Sequence, residues 1–459
     1  MKKLNKLLPL LMAAAFAAGD ACAADLLSVY REAIGYDAQF ASARAGRDAD
    51  LEKLPQGMSR LLPTVGFSAN TQWNDITTSL RSDPNMTLPG GIGTIMGLQQ
   101  NSTTKYNSNG WSLSLSQPLF RWQNWLTYQQ AELAVAQAEA QYKLAKQDLI
   151  QRVVKAYFDV LLSQENLVTA QAQKTAIAEQ LAAAKRNFEV GTTTITDTHE
   201  AQARFDLTTA QEISAESDLQ IKRHALSMLI GKEADTLKKV KAGVEIATPQ
   251  PDDIGKWVEA AEKENFGVQI GQAGLEMANR EIDKQRAGHY PTVDLVASRG
   301  SSSSGVNPSL PALGGSDTNS TVVGLQLNIP IYAGGAISSR NREAVAMREK
   351  ARADLDNVRR NAALGARQAY LGVTSGLAQV KALEQALISS QSALDSNKLG
   401  YDVGVRVNMD VLNAQQQFYS TRRDLAKARL DTLTAQLSLK AAAGVLSETD
   451  VVAVNSLLE

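Results

Sequence analysis

Proline placement constrains this chain more than any other feature. The twelve prolines stand at positions 9, 55, 63, 84, 89, 118, 249, 251, 291, 308, 311 and 330, leaving none between Pro118 and Pro249 and none after Pro330. A proline inside a helix removes a hydrogen bond and clashes with the preceding turn, at about 3 kcal/mol. The two gaps are therefore where long helices can form. Their content agrees, being dominated by Ala, Gln, Leu, Glu, Lys and Arg, all strong helix formers. Tyr142, Ala145, Leu149, Val153, Ala156 and Val160 recur every three or four positions as one helical stripe. A helix from Trp122 to Phe188 would be about 100 Å long at its rise of ~1.5 Å per residue. Such a length predicts a coiled coil or a tubular array instead of a globular core. An ordinary coiled-coil rod fits this region alone equally well.

The proline-bearing zones follow a period of two. Val65, Phe67, Ala69 and Trp73 alternate with polar or small residues, as do Trp111, Leu113, Leu115 and Leu119. Val293, Leu295 and Ala297 form a third set, and Val323, Leu325, Leu327, Ile329 and Ile331 a fourth. Four strands of about ten residues are expected, each with an apolar and a polar face, paired as two hairpins through polar loops around 79–105 and 300–318. A soluble sandwich edge is one reading, but four isolated strands close no core. The alternation also matches a barrel wall with a lipid face and a polar lumen. Four strands cannot close such a barrel, because an open edge in hydrocarbon leaves backbone groups unpaired at several kcal/mol each. Several copies must complete the wall. Two would give a narrow filled tube and three would give twelve strands around a lumen.

Composition removes other classes. With 44% hydrophobic and 21% charged residues and a net charge of −1, the chain is too polar for a polytopic helical membrane protein and too mixed for a disordered one. It also lacks the basic excess that phosphate contacts would want, so no nucleic-acid partner is expected. Residues 1–23 are expected to be a signal peptide, with Lys2, Lys3 and Lys6, an apolar run from Leu7 to Ala18, and Ala21-Cys22-Ala23 at the cleavage site. Lipid attachment at Cys22 would want a leucine where Gly19-Asp20-Ala21 stands. Cleavage leaves no cysteine and no disulfide chemistry. His199, His224 and His289 show no close spacing with one another, so no metal, cofactor or catalytic activity is expected. Gly90-Gly91-Ile92-Gly93 lacks the later glycine of a nucleotide loop and is expected to be plain loop.

The two halves repeat at an offset of 213: Ala156-Tyr157 with Ala369-Tyr370, Val190-Gly191 with Val403-Gly404, Asp197 with Asp410, Phe205 with Phe418, and Gly231 with Gly444. Each half is expected to run helix, strand, loop, strand, long helix, tight turn, helix, which implies pseudo-symmetry. The boundaries drawn are 24–231 for the first repeat, 232–257 for a polar connector, 258–444 for the second repeat and 445–459 for a terminal segment. Each Val-Gly turn ends a long helix and reverses the chain, one helix length from the strands.

On these residues the sequence resembles the TolC family of outer-membrane efflux and secretion channels. The stretches that carry the likeness are Gln117-Pro118-Leu119-Phe120, Ile329-Pro330-Ile331-Tyr332-Ala333-Gly334-Gly335, and Gly400-Tyr401-Asp402-Val403-Gly404 running on to Leu412. The resemblance implies a mixed α/β membrane protein, a homotrimer whose twelve-stranded β-barrel takes four strands from each chain. That barrel, surrounded by outer-membrane lipid of a Gram-negative bacterium, would continue into a long α-helical barrel in the periplasm. The connector and the terminal segment would form an equatorial collar. It further implies a passive exit duct for an inner-membrane pump of ABC, RND or MFS type, joined through a periplasmic adaptor (a membrane fusion protein). Val190, Gly191, Thr192, Val403, Gly404 and Val405 would be the adaptor-contacting helix tips.

The resemblance also implies a gate. Tyr401 and Arg406 should reach Asp197 and Thr196 within and between chains, and Asp410 should project into the lumen as a carboxylate ring. Where the family commonly has a second aspartate stands Asn413, which should weaken cation attraction at the constriction. On spacing alone, Arg406 and Asp410 also fit a solvated pair at a helix start. Two other functional classes compete with the duct: a trimeric surface-exposed coiled-coil or adhesin-like protein without an open pore, and a soluble periplasmic scaffold. The amphipathic strands count against the scaffold. The lack of a lipidated cysteine points toward the unlipidated general-purpose or type I secretion branch. Efflux and secretion are not separated by these residues.

Overall fold

The proline-free gaps are filled by the helices they permit. A computed structural model describes residues 24–80, 100–233, 236–241, 243–244, 246–306 and 314–459; the expected signal peptide, Cys22 and the Gly90–Gly93 loop lie outside the described residues. The chain runs α1 (Leu26–Tyr36), α2 (Ala38–Leu51), α3 (Lys53–Ser59), β1 (Thr64–Leu80), β2 (Gln100–Phe120), α4 (Trp122–Glu189) and α5 (Ile195–Ile230). It continues with α6 (Ile254–Glu264), α7 (Phe266–Arg286), β3 (Thr292–Ser304), β4 (Ser316–Asn328), α8 (Ala336–Asp402), α9 (Asn408–Ala442) and α10 (Glu448–Asn455). Thus α4 has 68 residues and α8 has 67, and the helix expected to end at Phe188 goes one residue further.

The described residues group into two units, one of residues up to Asp50 with Ala136–Leu275 and Ala351–Glu459, the other of Leu51–Val135 with Glu276–Lys350. In the first, short helices start on side-chain caps: Asp25 accepts from the Ser28 amide at 2.8 Å, Asp37 from Phe40 at 2.7 Å and Asp253 from Gly255 at 2.8 Å. Each cap satisfies an amide that the helix itself leaves orphaned. The main core joins Leu26, Val29 and Tyr30 of α1 to Leu149, Val153 and Tyr157 of α4, Leu226 of α5, Leu433 of α9 and Val451 of α10. Of the stripe read from sequence, Leu149, Val153 and Val160 are buried, while Tyr142, Ala145 and Ala156 are half-buried.

Three distant stretches are laced together beside this core. Ala24 bridges Leu237 in parallel and Val240 bridges Leu458 antiparallel. The Lys239 amide donates to the Glu459 carbonyl at 3.0 Å, and the Lys239 carbonyl accepts from the Glu459 amide at 2.8 Å. Tyr157 pins the strap to α4, its hydroxyl donating to the Lys238 carbonyl at 2.8 Å. Burial raises the phenol well above its ordinary range.

The second unit holds one four-stranded antiparallel sheet in the order β1-β2-β3-β4. The two expected hairpins are present and β2 pairs with β3 to join them. The strands are longer than their apolar alternation: 17 residues in β1, 21 in β2 and 13 in each of β3 and β4. Residues 79–80, 100–105, 300–304 and 316–318 of the expected loops are therefore strand, while 81–99 and 307–313 lie outside the described residues. Polar side-chain pairs run along β1 and β2, from Ser68–Ser112 at 2.8 Å on the face opposite the apolar one to Thr71–Asn109 at 2.6 Å and Thr77–Thr103 at 3.1 Å beyond it. At the other end, β4 stops at Asn328 instead of running through Ile331, since Pro330 has no N–H to give a ladder. Pro118 likewise marks a shift of register between β2 and β3. Val65, Phe67, Val323, Leu325 and Leu327 of one sheet face are exposed by 60–71%. Among the described residues, β1 and β4 each have one edge without a strand partner.

Candidate functional site

The two Val-Gly turns are built alike because the repeat keeps their glycines. Gly191 and Gly404 both have φ +77°, a left-handed conformation that a side chain disfavours. The Gly191 amide donates to Phe188 and the Thr192 amide to Asn187, at 3.0 and 2.8 Å. In the second turn Gly404 donates to Tyr401 and Val405 to Gly400, at 3.0 and 2.8 Å. Both patterns satisfy the last carbonyls of a long helix. The six tip residues Val190, Gly191, Thr192, Val403, Gly404 and Val405 are all exposed, with three valines presenting apolar surface.

The helices that follow begin differently. Thr194 caps α5: its hydroxyl accepts from the Asp197 amide at 3.3 Å, and the Asp197 carboxylate accepts from the Thr194 amide at 3.2 Å and hydroxyl at 3.1 Å. This reciprocal box satisfies two orphaned donors. At the equivalent place before α9 stands Val407, which gives no side-chain cap. Asp410 is thus released from a box and lies 3.6 Å from Arg406, both partly exposed.

Within the chain, then, Arg406 meets Asp410 and not Asp197, because the capping box already occupies the Asp197 carboxylate. The Tyr401 hydroxyl accepts from the Asn187 side-chain amide at 3.0 Å, which ties the end of α8 to the end of α4. Thr196 is exposed. Asn413 accepts from Arg204 of α5 at 3.1 Å while the same guanidinium donates to Gln416 at 2.6 Å. An asparagine suits this fork as an acceptor without adding charge.

Sequence reasoning missed Asn187, Arg204 and Asn408. Asn408, only 2% exposed, accepts from the Gln180 amide and donates to the Asp197 carbonyl at 3.4 Å, so it couples the start of α9 to α4 and α5. The Thr-Ile-Thr-Asp run at 194–197 was a readable capping signal. The partners of Asn408 and Arg204 are over 200 positions away and leave no local trace. Beneath the turns, Ile177, Leu181 and Ala184 pack on Ala201 and Leu412, an apolar floor under a polar rim.

The sequence model of the outer membrane efflux protein family matches residues 29–232 and 257–445. The chain is 32% identical over 457 residues to the outer membrane protein TolC of Vibrio cholerae, covering 99% of this chain and 98% of that protein. It is 32% identical over 437 residues to the alkaline protease secretion protein AprF of Pseudomonas aeruginosa, covering 94% and 87% respectively. Its fold is similar to that of the Campylobacter jejuni CmeC outer membrane channel, with a TM-score of 0.74 at 17% identity over 94% of this chain and 89% of that one.

Proposed function

Because the chain belongs to the outer membrane efflux protein family, we propose that it works as a passive exit duct for efflux or secretion, built from three copies in the outer membrane of a Gram-negative bacterium. The observation that carries this reading is the sheet: four antiparallel strands, an exposed apolar face, and edges on β1 and β4 that no strand among the described residues pairs. In hydrocarbon those edges would cost several kcal/mol per unpaired group. Pairing β4 of one copy with β1 of the next removes them, and three copies give a twelve-stranded barrel with room for a lumen. The long helices would form the periplasmic barrel, with the strap of residues 236–241 and the terminal segment as its collar.

In this reading the Val-Gly turns are the periplasmic tip, and their exposed valines are the surface offered to a periplasmic adaptor that links the duct to an inner-membrane pump. Tyr401 and Arg406 hold the tip closed, through Asn187 and Asp410 in their own chain and Asp197 and Thr196 of a neighbour. Exposed ion pairs contribute about 0–1 kcal/mol each. A threefold set is thus strong enough to favour the closed tip and weak enough for adaptor docking to override. Asp410, free of a capping box, supplies the carboxylate ring, while Asn413 leaves a second ring uncharged.

The test is the purified protein in detergent. A trimeric mass with conductance in planar bilayers is expected. A trimer that never conducts under any voltage or tip substitution would favour the adhesin-like alternative, and a detergent-independent monomer would end the reading altogether.

A further inference from the structure

The apolar face of the sheet ends abruptly on β3. Val293, Leu295 and Ala297 are followed on that face by Arg299, Ser301 and Ser303. The register gives each its neighbours: Arg299 lies opposite Leu113 and Thr321, Ser301 opposite Trp111 and Asn319, and Ser303 opposite Asn109 and Asp317. Asn109 in turn accepts from the Thr71 hydroxyl at 2.6 Å. A guanidinium, an indole and a group of hydroxyls and amides thus meet at one margin of the apolar band. A shallow cleft of about 840 Å³ opens there, lined among others by Phe67, Thr71, Asn109, Trp111, Ser301 and Ser303.

Arg299 is exposed, and among the described residues no carboxylate pairs with it. Its situation contrasts with the other charges on this face. Lys105 is paired with Asp75 at 3.2 Å, and Asp317 stands two rungs beyond Arg299, away from the apolar band. A cation at the edge of hydrocarbon finds its counter-charge in the headgroup layer. The planar guanidinium matches phosphate bidentately, tryptophan favours the headgroup level, and the serine, threonine and asparagine groups suit sugar hydroxyls. Below them, Phe67, Leu113 and Leu115 offer a floor for acyl chains.

We infer that Arg299, with Ser301, Ser303 and Asn109, forms a headgroup subsite on the outside of the sheet for a phosphorylated glycolipid of the outer leaflet. This rests on the reading of the sheet as part of a membrane barrel with its β1–β2 and β3–β4 connections on the cell exterior.

The purified trimer is to be titrated with bis-phosphorylated lipid A, with the dephosphorylated lipid and with inorganic phosphate, and bound lipid counted by native mass spectrometry. Arg299→Ala should weaken retention of the phosphorylated lipid about fivefold, Arg299→Lys should keep most of it, and the dephosphorylated lipid should bind both forms equally weakly. Inorganic phosphate should not displace the lipid. Equal retention by wild type and Arg299→Ala overturns the inference, as does displacement by phosphate, which would indicate a free-anion site. Should Arg299→Ala fail to assemble, Ser301→Ala with Ser303→Ala carries the same test through the hydroxyls. Conductance of the wild-type trimer, measured in parallel, separates a failure of the lipid subsite from a failure of the channel reading.

Discussion

Asp197 and Asp410 occupy the third position of equivalent helices, yet one is closed into a box with Thr194 and the other faces Arg406 because Val407 has no hydroxyl. Val407→Thr should rebuild the missing cap. The gain expected is about 1 kcal/mol, and it competes directly with Arg406 for the Asp410 carboxylate. Thermal unfolding should shift upward, and the cation selectivity of the open channel should change. Identical selectivity in the two proteins would show that Asp410 does not face the conducting path.

Arg406→Ala combined with Tyr401→Phe removes the charge partner of Asp410 and the acceptor of Asn187. Each contact is worth no more than about 1 kcal/mol on a solvated surface, so the fold should persist. Single-channel conductance in planar bilayers should rise. Unchanged conductance in a properly assembled protein would count against the gate.

Asp37 is 5% exposed and accepts from Arg152 at 2.8 and 3.0 Å as well as from the Phe40 amide. The Arg152 guanidinium holds its carboxyl below the usual range, against the opposing pull of burial. A folded value below the unfolded one, about 3.9, stabilises the protein above that pH and ceases to do so as pH falls through the folded value. Asp37→Asn should therefore lower the unfolding midpoint at pH 7, by the equivalent of about 2 kcal/mol since Arg152 is partly exposed. The gap between mutant and wild type should narrow as the buffer is taken from pH 5 toward pH 2. A gap constant across that range would refute the role given to the pair.

Arg121 holds the Asp294 carboxylate with two bonds, at 2.8 and 2.6 Å, and Asp294 is 6% exposed. Removing the guanidinium strands a buried charge at the start of β3, a loss of about 3 kcal/mol. Arg121→Ala should lower the thermal unfolding midpoint, and Arg121→Ala with Asp294→Asn should restore much of it. Failure of the double variant to recover would mean that packing, not charge, is what Arg121 supplies.

The extent of α4 was legible to within a residue, because Pro118 limits its start and the Val190-Gly191 turn its end. Strand positions were legible where one face is apolar and the other polar or small, as in Val323-Gly324-Leu325. They were not legible where both faces are polar, so Ser79 and Leu80 and the stretch from Gln100 to Lys105 read as loop although they are strand. The tip turns were visible as Val-Gly pairs in the repeat. What they touch was not: the cap at Thr194 had a sequence signature, whereas the hold of Arg204 on Asn413 arises only when the helices of the two halves pack together.

The unpartnered margins of β1 and β4 have a genetic corollary. A copy whose β4 cannot form a ladder, for instance through Leu325→Pro, spoils every ring it enters. Expressed equally beside the normal chain, it would leave about one ring in eight intact in the proposed threefold assembly. Damage to this short stretch should therefore behave as dominant negative, while loss of the whole chain from one of two copies of the gene should pass almost unnoticed.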